Sequence, residues 1–385
     1  MKKVFKILGI SLLSIVGLLL IGVSIFLIIV AVNSPGRLEP LKDSVGNEII
    51  GVLAEKNFTE IGGIRQGYFV RAENPENPVI LFLHGGPGSP SLPLQIPREL
   101  PVERLERYFT MVYWDQRGAG MSFCSSIDPE TMTLAQMIED TRQMAEHLRR
   151  RFNQERIFVM GHSWGTFLGV KTIEQHPELF HAYIGIAQVV YQIESERLLY
   201  DFMLQHAKET DNRRAIRDLQ RFDRNAPDFP TTQYIMSART TWMNEFGVGV
   251  IREGFHMRDF ARDLLFFSGY TFREKVGYMR GSLFSLEHLW GYVIDNNLFE
   301  TSTSFQVPVF ITHGVWDYQT SYTLARQWFE TIDAPDKAFF SFENSAHSPN
   351  MEEPEKFVRI VRGIAERTLA RNTAGNASLA YGYED

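Results

Sequence analysis

The sequence has 385 residues, of which 44% are hydrophobic and 22% are charged, an ordinary composition for a folded chain with enough length for a large core. The formal net charge is −7 and no long basic stripe occurs, which argues against a nucleic-acid partner. A single cysteine, Cys124, excludes an internal disulfide.

A long apolar segment opens the chain. It holds 26 uncharged residues from Ile7 to Val32 and follows three lysines among the first six residues. At about 1.5 Å per residue such a helix is about 39 Å long, enough to cross a hydrocarbon core of about 30 Å. A cleaved signal peptide has a shorter apolar region, and a helix that packs on a soluble core usually keeps a polar stripe, which is missing here. We therefore predict a cytoplasmic N-terminus at 1–6, a single transmembrane anchor at 7–32 and an extracytoplasmic body.

The segments after the anchor alternate between strand and helix patterns. Residues 33–52 are polar and contain Pro and Gly, as a linker does. The predicted elements that follow are a hairpin of Lys56–Ile61 and Tyr68–Arg71, apolar strands at Pro78–Leu83 and Phe109–Trp114, and a helix at Thr133–Phe152. Continuous apolar strands are typical of a sheet covered on both faces by helices.

The next strand pattern ends in the sequence Gly161-His162-Ser163-Trp164-Gly165, which is followed by a helix-compatible segment. Gly-x-Ser-x-Gly between a strand and a helix is the pattern of a nucleophile elbow, in which a sharp turn exposes the serine. Ser163 is therefore the candidate nucleophile. The backbone N–H of Trp164, at the helix N-terminus, is a candidate donor to an oxyanion.

The alternation stops after a short strand at Ala182–Ile186. Residues 191–305 show helical periodicity, and we predict a helical cap inserted into a core of 53–190 and 306–371. The alternative is a set of extra helices on the far side of the sheet. The predicted elements that complete the chain are strands at Pro308–Thr312 and Lys337–Phe342, a helix at Pro354–Arg371 and a frayed tail at 372–385. Together these patterns predict a mostly parallel α/β sheet.

An acid and a histidine follow the last two strands. A serine needs a base within hydrogen-bond reach and an acid that orients the base, in the chain order Ser, Asp, His for this strand–turn–helix pattern. Asp317 lies five residues past Thr312, and His347 lies five past Phe342. We predict these two as acid and base. His313 competes for the second role but precedes the acid.

A glycine-rich loop supplies the second oxyanion donor. His84-Gly85-Gly86-Pro87-Gly88 follows a strand, and its glycines let the backbone direct an N–H toward the serine, with Gly86 the better candidate. The chain has no His-Glu-x-x-His, no cysteine pair and no Gly-x-Gly-x-x-Gly after a first strand. We therefore expect neither a metal nor another cofactor.

Together with Trp114-Asp115-Gln116-Arg117-Gly118-Ala119-Gly120, these motifs resemble those of the prolyl aminopeptidase (proline iminopeptidase) family of α/β-hydrolases, over roughly Phe58 to Ala365. The resemblance implies an enzyme that releases an N-terminal residue, often proline, from peptides. It also implies that Ser163 is the nucleophile, Asp317 the acid and His347 the base.

The resemblance includes one departure in the cap. The family binds the substrate amine with cap carboxylates, one of them in Trp-x-x-Trp-Glu, whereas here Trp242-Met243-Asn244-Glu245 has Asn in place of the second Trp. Glu245 is a candidate for pairing with a substrate ammonium, and a solvated helix residue is the alternative.

The predicted function is therefore a membrane-anchored serine hydrolase, in the first place an aminopeptidase acting on small peptides. An esterase or other acyl hydrolase of the same fold, its aromatic cap accepting an apolar chain, is the alternative within enzymes. A catalytically silent membrane receptor or scaffold is the alternative outside them. The expected partners are a small peptide or other acyl substrate and the membrane around 7–32. The sequence leaves the oligomeric state open.

Overall fold

A computed structural model describes residues 2–96, 104–254 and 256–374. Its strands are β1 Leu53–Ile61, β2 Ile64–Ala72, β3 Val79–Leu83, β4 Thr110–Trp114, β5 Ile157–His162, β6 Phe180–Ile186, β7 Val309–Gly314 and β8 Lys337–Phe342. Its helices are α1 Lys2–Val32, α2 Leu92–Gln95, α3 Leu134–Arg151, α4 Trp164–Gln175, α5 Gln192–Glu209, α6 Arg213–Leu219, α7 Thr232–Tyr234, α8 Thr240–Glu245, α9 Met257–Phe266, α10 Phe272–Ile294, α11 Leu298–Thr301, α12 Tyr322–Thr331, α13 Pro349–Glu352 and α14 Pro354–Ala374.

The eight strands form one sheet in the order β1-β2-β4-β3-β5-β6-β7-β8. The β1–β2 and β2–β4 pairs are antiparallel, and the pairs from β4 through β8 are parallel. This confirms the predicted mostly parallel sheet. The N-terminal hairpin is longer than predicted, because pairing continues to Leu53 and Ala72 and includes Gly67 within β2.

Helices cover both faces of the sheet. Alternate residues of β3 belong to two separate hydrophobic clusters, with Leu81 and Leu83 on one face and Ile80 and Phe82 on the other. A strand that is buried on both faces has no polar alternation, which is why its sequence reads as one apolar run. The parallel sheet therefore directs the carboxyl ends of its strands to one edge, where the candidate site lies.

Between β6 and β7 the described residues form helices α5 to α11 and no strand. This helical insertion corresponds to the segment predicted as a cap, and it has its own hydrophobic cluster around Leu199, Met203 and Trp242. Residues of α10 and of the π-helical turn Ile235–Arg239 share a cavity with Ser163. The insertion therefore contributes to the cavity at the sheet edge where Ser163 lies.

The N-terminal helix contains a candidate membrane span, Leu13–Val32, with a mean hydropathy of 3.2 and only 6% of its most apolar stretch buried. A signal sequence passes the same test of length and composition. The predicted helix is therefore present, and its membrane crossing stays a prediction.

Two predicted boundaries near the C-terminus differ from the structure. Strand β7 continues through Gly314, so His313 is a strand residue and not a loop residue, because the pairing with β8 extends to Phe342. Helix α14 extends to Ala374, three residues beyond the predicted end. The rest of the predicted frayed tail, 375–385, lies outside the described residues.

Candidate active site

Ser163 occupies a sharp turn between β5 and α4. Its φ of 54° and ψ of −121° place the backbone in a region that residues other than glycine rarely adopt. A Cβ on Gly161 would clash with the carbonyl of Gly165, and a Cβ on Gly165 would clash with the carbonyl of Leu83. The two glycines of the motif are therefore required by the close approach of the turn to its own helix and to β3.

Asp317 and His347 meet at the same edge of the sheet. His347 Nδ1 lies 2.9 Å from Asp317 Oδ2, and both side chains are buried. The loop after β7 carries the aspartate, and the loop between β8 and α13 carries the histidine. The backbone N–H of His347 donates to the carbonyl oxygen of Gly249, in the helical insertion, at 3.1 Å. Since Nδ1 donates to the carboxylate, the Nε2 atom is left to accept a proton.

The Nε2 atom of His347 is buried and has no hydrogen-bond partner among the described residues. Thr320 contacts His347 and lines the same cavity as Ser163, so this one residue links the histidine to the wall of the cavity. The arrangement is an imidazole oriented by an acid at the same sheet edge as the buried turn that carries Ser163. The hydrogen bond between a catalytic serine and its histidine is often long until a substrate binds.

Several donors converge on the Asp317 carboxylate. Thr320 donates its N–H to Oδ1 at 3.0 Å and its hydroxyl to Oδ2 at 2.8 Å. His313 Nε2 lies 3.1 Å from Oδ2, while its Nδ1 accepts the N–H of Gln188. Burial alone would raise the pKa of Asp317, but the neighbouring His347 and His313 outweigh it, so this pKa lies well below its ordinary value. The acid is therefore ionised throughout the neutral range.

His162, which precedes the candidate nucleophile, forms a hydrogen bond with the backbone of His347. Its Nε2 lies 2.9 Å from the carbonyl oxygen of His347, and the two rings are 4.9 Å apart. Burial, with a smaller contribution from His347, lowers the pKa of His162 to about 3. The imidazole is therefore neutral and can donate to that carbonyl, which holds the base loop against the elbow.

Both predicted oxyanion donors lie at the cavity. Gly86 and Trp164 line it together with Ser163, and Trp164 is the first residue of α4, so its N–H has no acceptor within the helix. Gly86 has a φ of 115°, which favours glycine. The Trp164 indole donates to Gln116 at 2.9 Å, and Gln116 in turn bonds to the carbonyl of His84, so the two oxyanion segments are tied together.

A cavity of about 590 Å³ lies over Ser163. Apolar side chains form much of its wall, namely Val189, Ile235, Met236, Leu283, Leu286, Trp290 and Val293. Among the described residues that line it, Glu287 is the only carboxylate. Arg239 also lines it, but both its Nε and one terminal nitrogen bond to the fully buried Glu196 at 2.7 and 2.8 Å.

The structure brings Ser163, Asp317, His347, Gly86 and Trp164 to this edge of the sheet, and it does not bring Glu245 there. Glu245 is the exposed last residue of α8, outside the lining of the cavity.

Sequence reasoning missed three features of the cavity, which are Thr320, Glu287 and the Arg239–Glu196 pair. Thr320 lies only three residues beyond the acid, and its spacing could have suggested a turn that caps the carboxylate. Nothing in the sequence marks Glu287 or the pair, because both depend on how the inserted helices pack.

Comparisons with known proteins agree with this architecture. The family model of the α/β hydrolase fold matches residues 78–354. The chain is 33% identical, over 80% of its length and 95% of the relative, to a probable aminopeptidase, YbaC, of Bacillus subtilis. It is 24% identical to a proline iminopeptidase of Heyndrickxia coagulans, over 80% of this chain and 96% of that one.

A solved structure shows the same fold at low identity. The proline iminopeptidase of Mycobacterium smegmatis superimposes with a TM-score of 0.56 at 17% identity, covering 82% of this chain and 98% of that chain. At this identity the likeness concerns the fold and carries no information on substrate.

Proposed function

Since this chain belongs to the α/β-hydrolase fold family, in its prolyl aminopeptidase-like branch, we propose that it is a serine aminopeptidase that uses Ser163, His347 and Asp317. One observation carries the proposal. His347 is held by Asp317 at 2.9 Å, its Nε2 has no partner among the described residues, and Thr320, which contacts His347, lines the cavity together with Ser163.

The chemistry follows from this arrangement. His347 accepts the Ser163 proton through Nε2 while the hydroxyl oxygen attacks the carbonyl carbon of the substrate. The N–H groups of Gly86 and Trp164 stabilise the oxyanion of the tetrahedral intermediate. His347 then donates the proton to the departing amine, and a water molecule hydrolyses the acyl-enzyme by the same proton transfers in reverse order. Asp317 stays ionised and stabilises the imidazolium.

Glu287 supports an aminopeptidase over an endopeptidase. An N-terminal residue carries an ammonium group, and a carboxylate in a largely apolar cavity favours such a charge. Glu287 is exposed to solvent but lines the cavity, and it forms no ion pair within the described part of the chain, whereas Glu196 is neutralised by Arg239. We assign the ammonium to Glu287 in place of Glu245.

The apolar wall of the cavity favours a second candidate, an esterase or other acyl hydrolase. Seven apolar side chains surround the serine, and an acyl chain would bury them as well as a proline ring would. The two candidates differ in whether catalysis depends on a free amine. A silent receptor on this fold would not need the unpartnered His347 nitrogen or the strained serine turn.

We also propose that α1 anchors the enzyme in a membrane, with the hydrolase body on the extracytoplasmic side. The support is the length of the apolar helix, the solvent exposure of most side chains from Leu13 to Val32 and the lysines that precede the apolar segment.

The test uses the full chain in detergent, with proline and alanine anilides, the same anilides with a blocked amine, and a short p-nitrophenyl ester. An aminopeptidase cleaves the free-amine anilides and spares the blocked ones. Glu287→Gln is expected to raise KM for free-amine anilides by about tenfold, the loss of one charge-assisted hydrogen bond, and to leave ester turnover unchanged.

The matched control is Glu245→Gln, which removes an exposed carboxylate from the same insertion and is expected to change neither rate. Ester turnover without anilide cleavage would contradict the aminopeptidase proposal. A raised KM in Glu245→Gln and not in Glu287→Gln would move the ammonium site to Glu245.

A further inference from the structure

Helix α10 carries an apolar stripe that no other part of the described chain covers. Phe272, Val276, Met279 and Leu283 each leave at least 42% of their surface exposed. Their spacing of four, three and four residues puts them on one face of the helix. Continuous apolar surfaces on soluble proteins often mark sites of contact with a partner or a membrane.

The same helix is attached to the end of the apolar N-terminal helix. The Asn33 carbonyl, one residue beyond α1, accepts a hydrogen bond from Lys275 Nζ at 2.9 Å. Pro35 forms a β-bridge with Thr271, the N-cap of α10, and the Arg37 N–H donates to Ser268 at 3.1 Å. If α1 crosses a bilayer, these contacts hold the first turn of α10 at the membrane surface.

The charges around the stripe match a lipid headgroup layer. The segment from Lys275 to Leu286 contains no acidic residue. Arg273 and Arg280, seven residues apart and both exposed, lie along one edge of the stripe. The only acidic residue in the first turn, Glu274, is already paired with Lys56. An apolar face bordered by arginines is typical of a helix that lies in the membrane interface.

The stripe also leads to the active site. Leu283 belongs both to the stripe and to the cavity wall, and Leu286, Glu287 and Trp290 continue the wall along the same helix. The mouth of the cavity therefore opens beside the apolar stripe.

We propose that the α10 stripe, Phe272, Val276, Met279 and Leu283, rests on the lipid surface of the membrane in which α1 is anchored. Amphiphilic peptides or acyl amides held in that interface then reach Ser163 along α10. The proposal rests on the proposed membrane anchor. It selects, within the proposed hydrolase activity, substrates that partition into the interface.

The test places a fluorescent label at three positions of the full chain. Cys124→Ser removes the native thiol, and Met279→Cys, Leu19→Cys or Glu330→Cys then carries a nitrobenzoxadiazole label. Leu19 reports on the anchor, and Glu330 is an exposed residue of α12 that serves as the aqueous control. The proteins are reconstituted into vesicles of phosphatidylcholine and phosphatidylglycerol that contain one lipid with a nitroxide near the headgroup, which reports on Met279, and one with a nitroxide at the end of its acyl chain, which reports on Leu19.

The expected result is quenching at Leu19 and Met279 that is several-fold stronger than at Glu330. Adding Val276→Asp to the Met279 protein is expected to reduce the quenching severalfold, because a carboxylate is disfavoured in the interface, while Ser163 still reacts with a fluorophosphonate. Val276 does not line the cavity, so this reaction shows that the variant is folded.

The outcomes separate the surface from the anchor. Quenching at Leu19 without quenching at Met279 would overturn the α10 surface and leave the anchor intact. No quenching at Leu19 would refute the anchor and the surface together, without bearing on the hydrolase chemistry. A label at Met279 that is shielded from aqueous iodide but not quenched by the lipid would assign the stripe to a second copy of the chain and overturn the proposal.

Discussion

Replacing Thr320 by valine removes one hydroxyl that supports the acid of the site. That hydroxyl has one proton, and of its possible acceptors Asp317 Oδ2 at 2.8 Å is closer than the Ala187 carbonyl at 3.2 Å and carries a full charge. A hydrogen bond to a charged group contributes about 1.5–3 kcal/mol. His347 and the Thr320 N–H still donate to the carboxylate, so we expect the lower end of this range.

Thr320→Val should therefore lower kcat/KM by about tenfold. Valine has nearly the same shape as threonine, so the binding of the substrate amine and the volume of the cavity should not change. The assay is hydrolysis of an alanine anilide by the full chain, with the free energy of unfolding measured in parallel. Thr320→Ser keeps the hydroxyl and is expected to stay near the wild-type rate. Equal rates for wild type and Thr320→Val, or a serine variant as slow as the valine variant, would refute the reasoning.

Three further substitutions test the surroundings of the site. Gly86→Ala should lower kcat by about 10²–10³ with little change in KM, because φ is 115° and a Cβ would lie 2.8 Å from two backbone nitrogens, which displaces an oxyanion donor; near wild-type turnover would contradict this. Burial raises the pKa of Asp115 to about 7, so the free energy of unfolding should decrease by about 1.4 kcal/mol per unit as pH rises from about 4 to about 7. Asp115→Asn should lack this decrease in denaturant titrations at pH 5 and pH 8, and a parallel decrease in the variant would contradict the assignment. Glu196→Gln leaves the buried guanidinium of Arg239 without its counter-charge and should destabilise the protein by about 3–5 kcal/mol, whereas a cost below 1 kcal/mol would show that the pair is hydrated.

The sheet could be predicted from the sequence because its signals are local. Each parallel strand is buried on both faces and therefore appears as a short apolar run, and Gly161 and Gly165 mark the turn that the backbone requires. The positions of Asp317 and His347 follow from the strands that precede them, since the carboxyl ends of parallel strands share one edge.

The substrate end of the cavity could not be predicted in the same way. Glu245 and Glu287 are both exposed residues on helices of the insertion, and which of them lines the cavity over Ser163 depends on the packing of α8 and α10. Burial of Trp242 and Met243 directs one side of α8 inward, and Glu245 lies outside the cavity lining. Helical periodicity defines the two faces of a helix but does not show which neighbour each face contacts.

Covalent labelling shows whether Ser163 is the nucleophile and whether its reactivity depends on His347. The full chain is treated with a fluorophosphonate, digested and analysed by mass spectrometry, with Ser163→Ala and His347→Ala as comparisons. We expect a single modified peptide that contains Ser163, no modification of Ser163→Ala, and a labelling rate lowered by several orders of magnitude in His347→Ala. Labelling that persists in Ser163→Ala, or that does not depend on His347, would contradict a serine hydrolase built on this site.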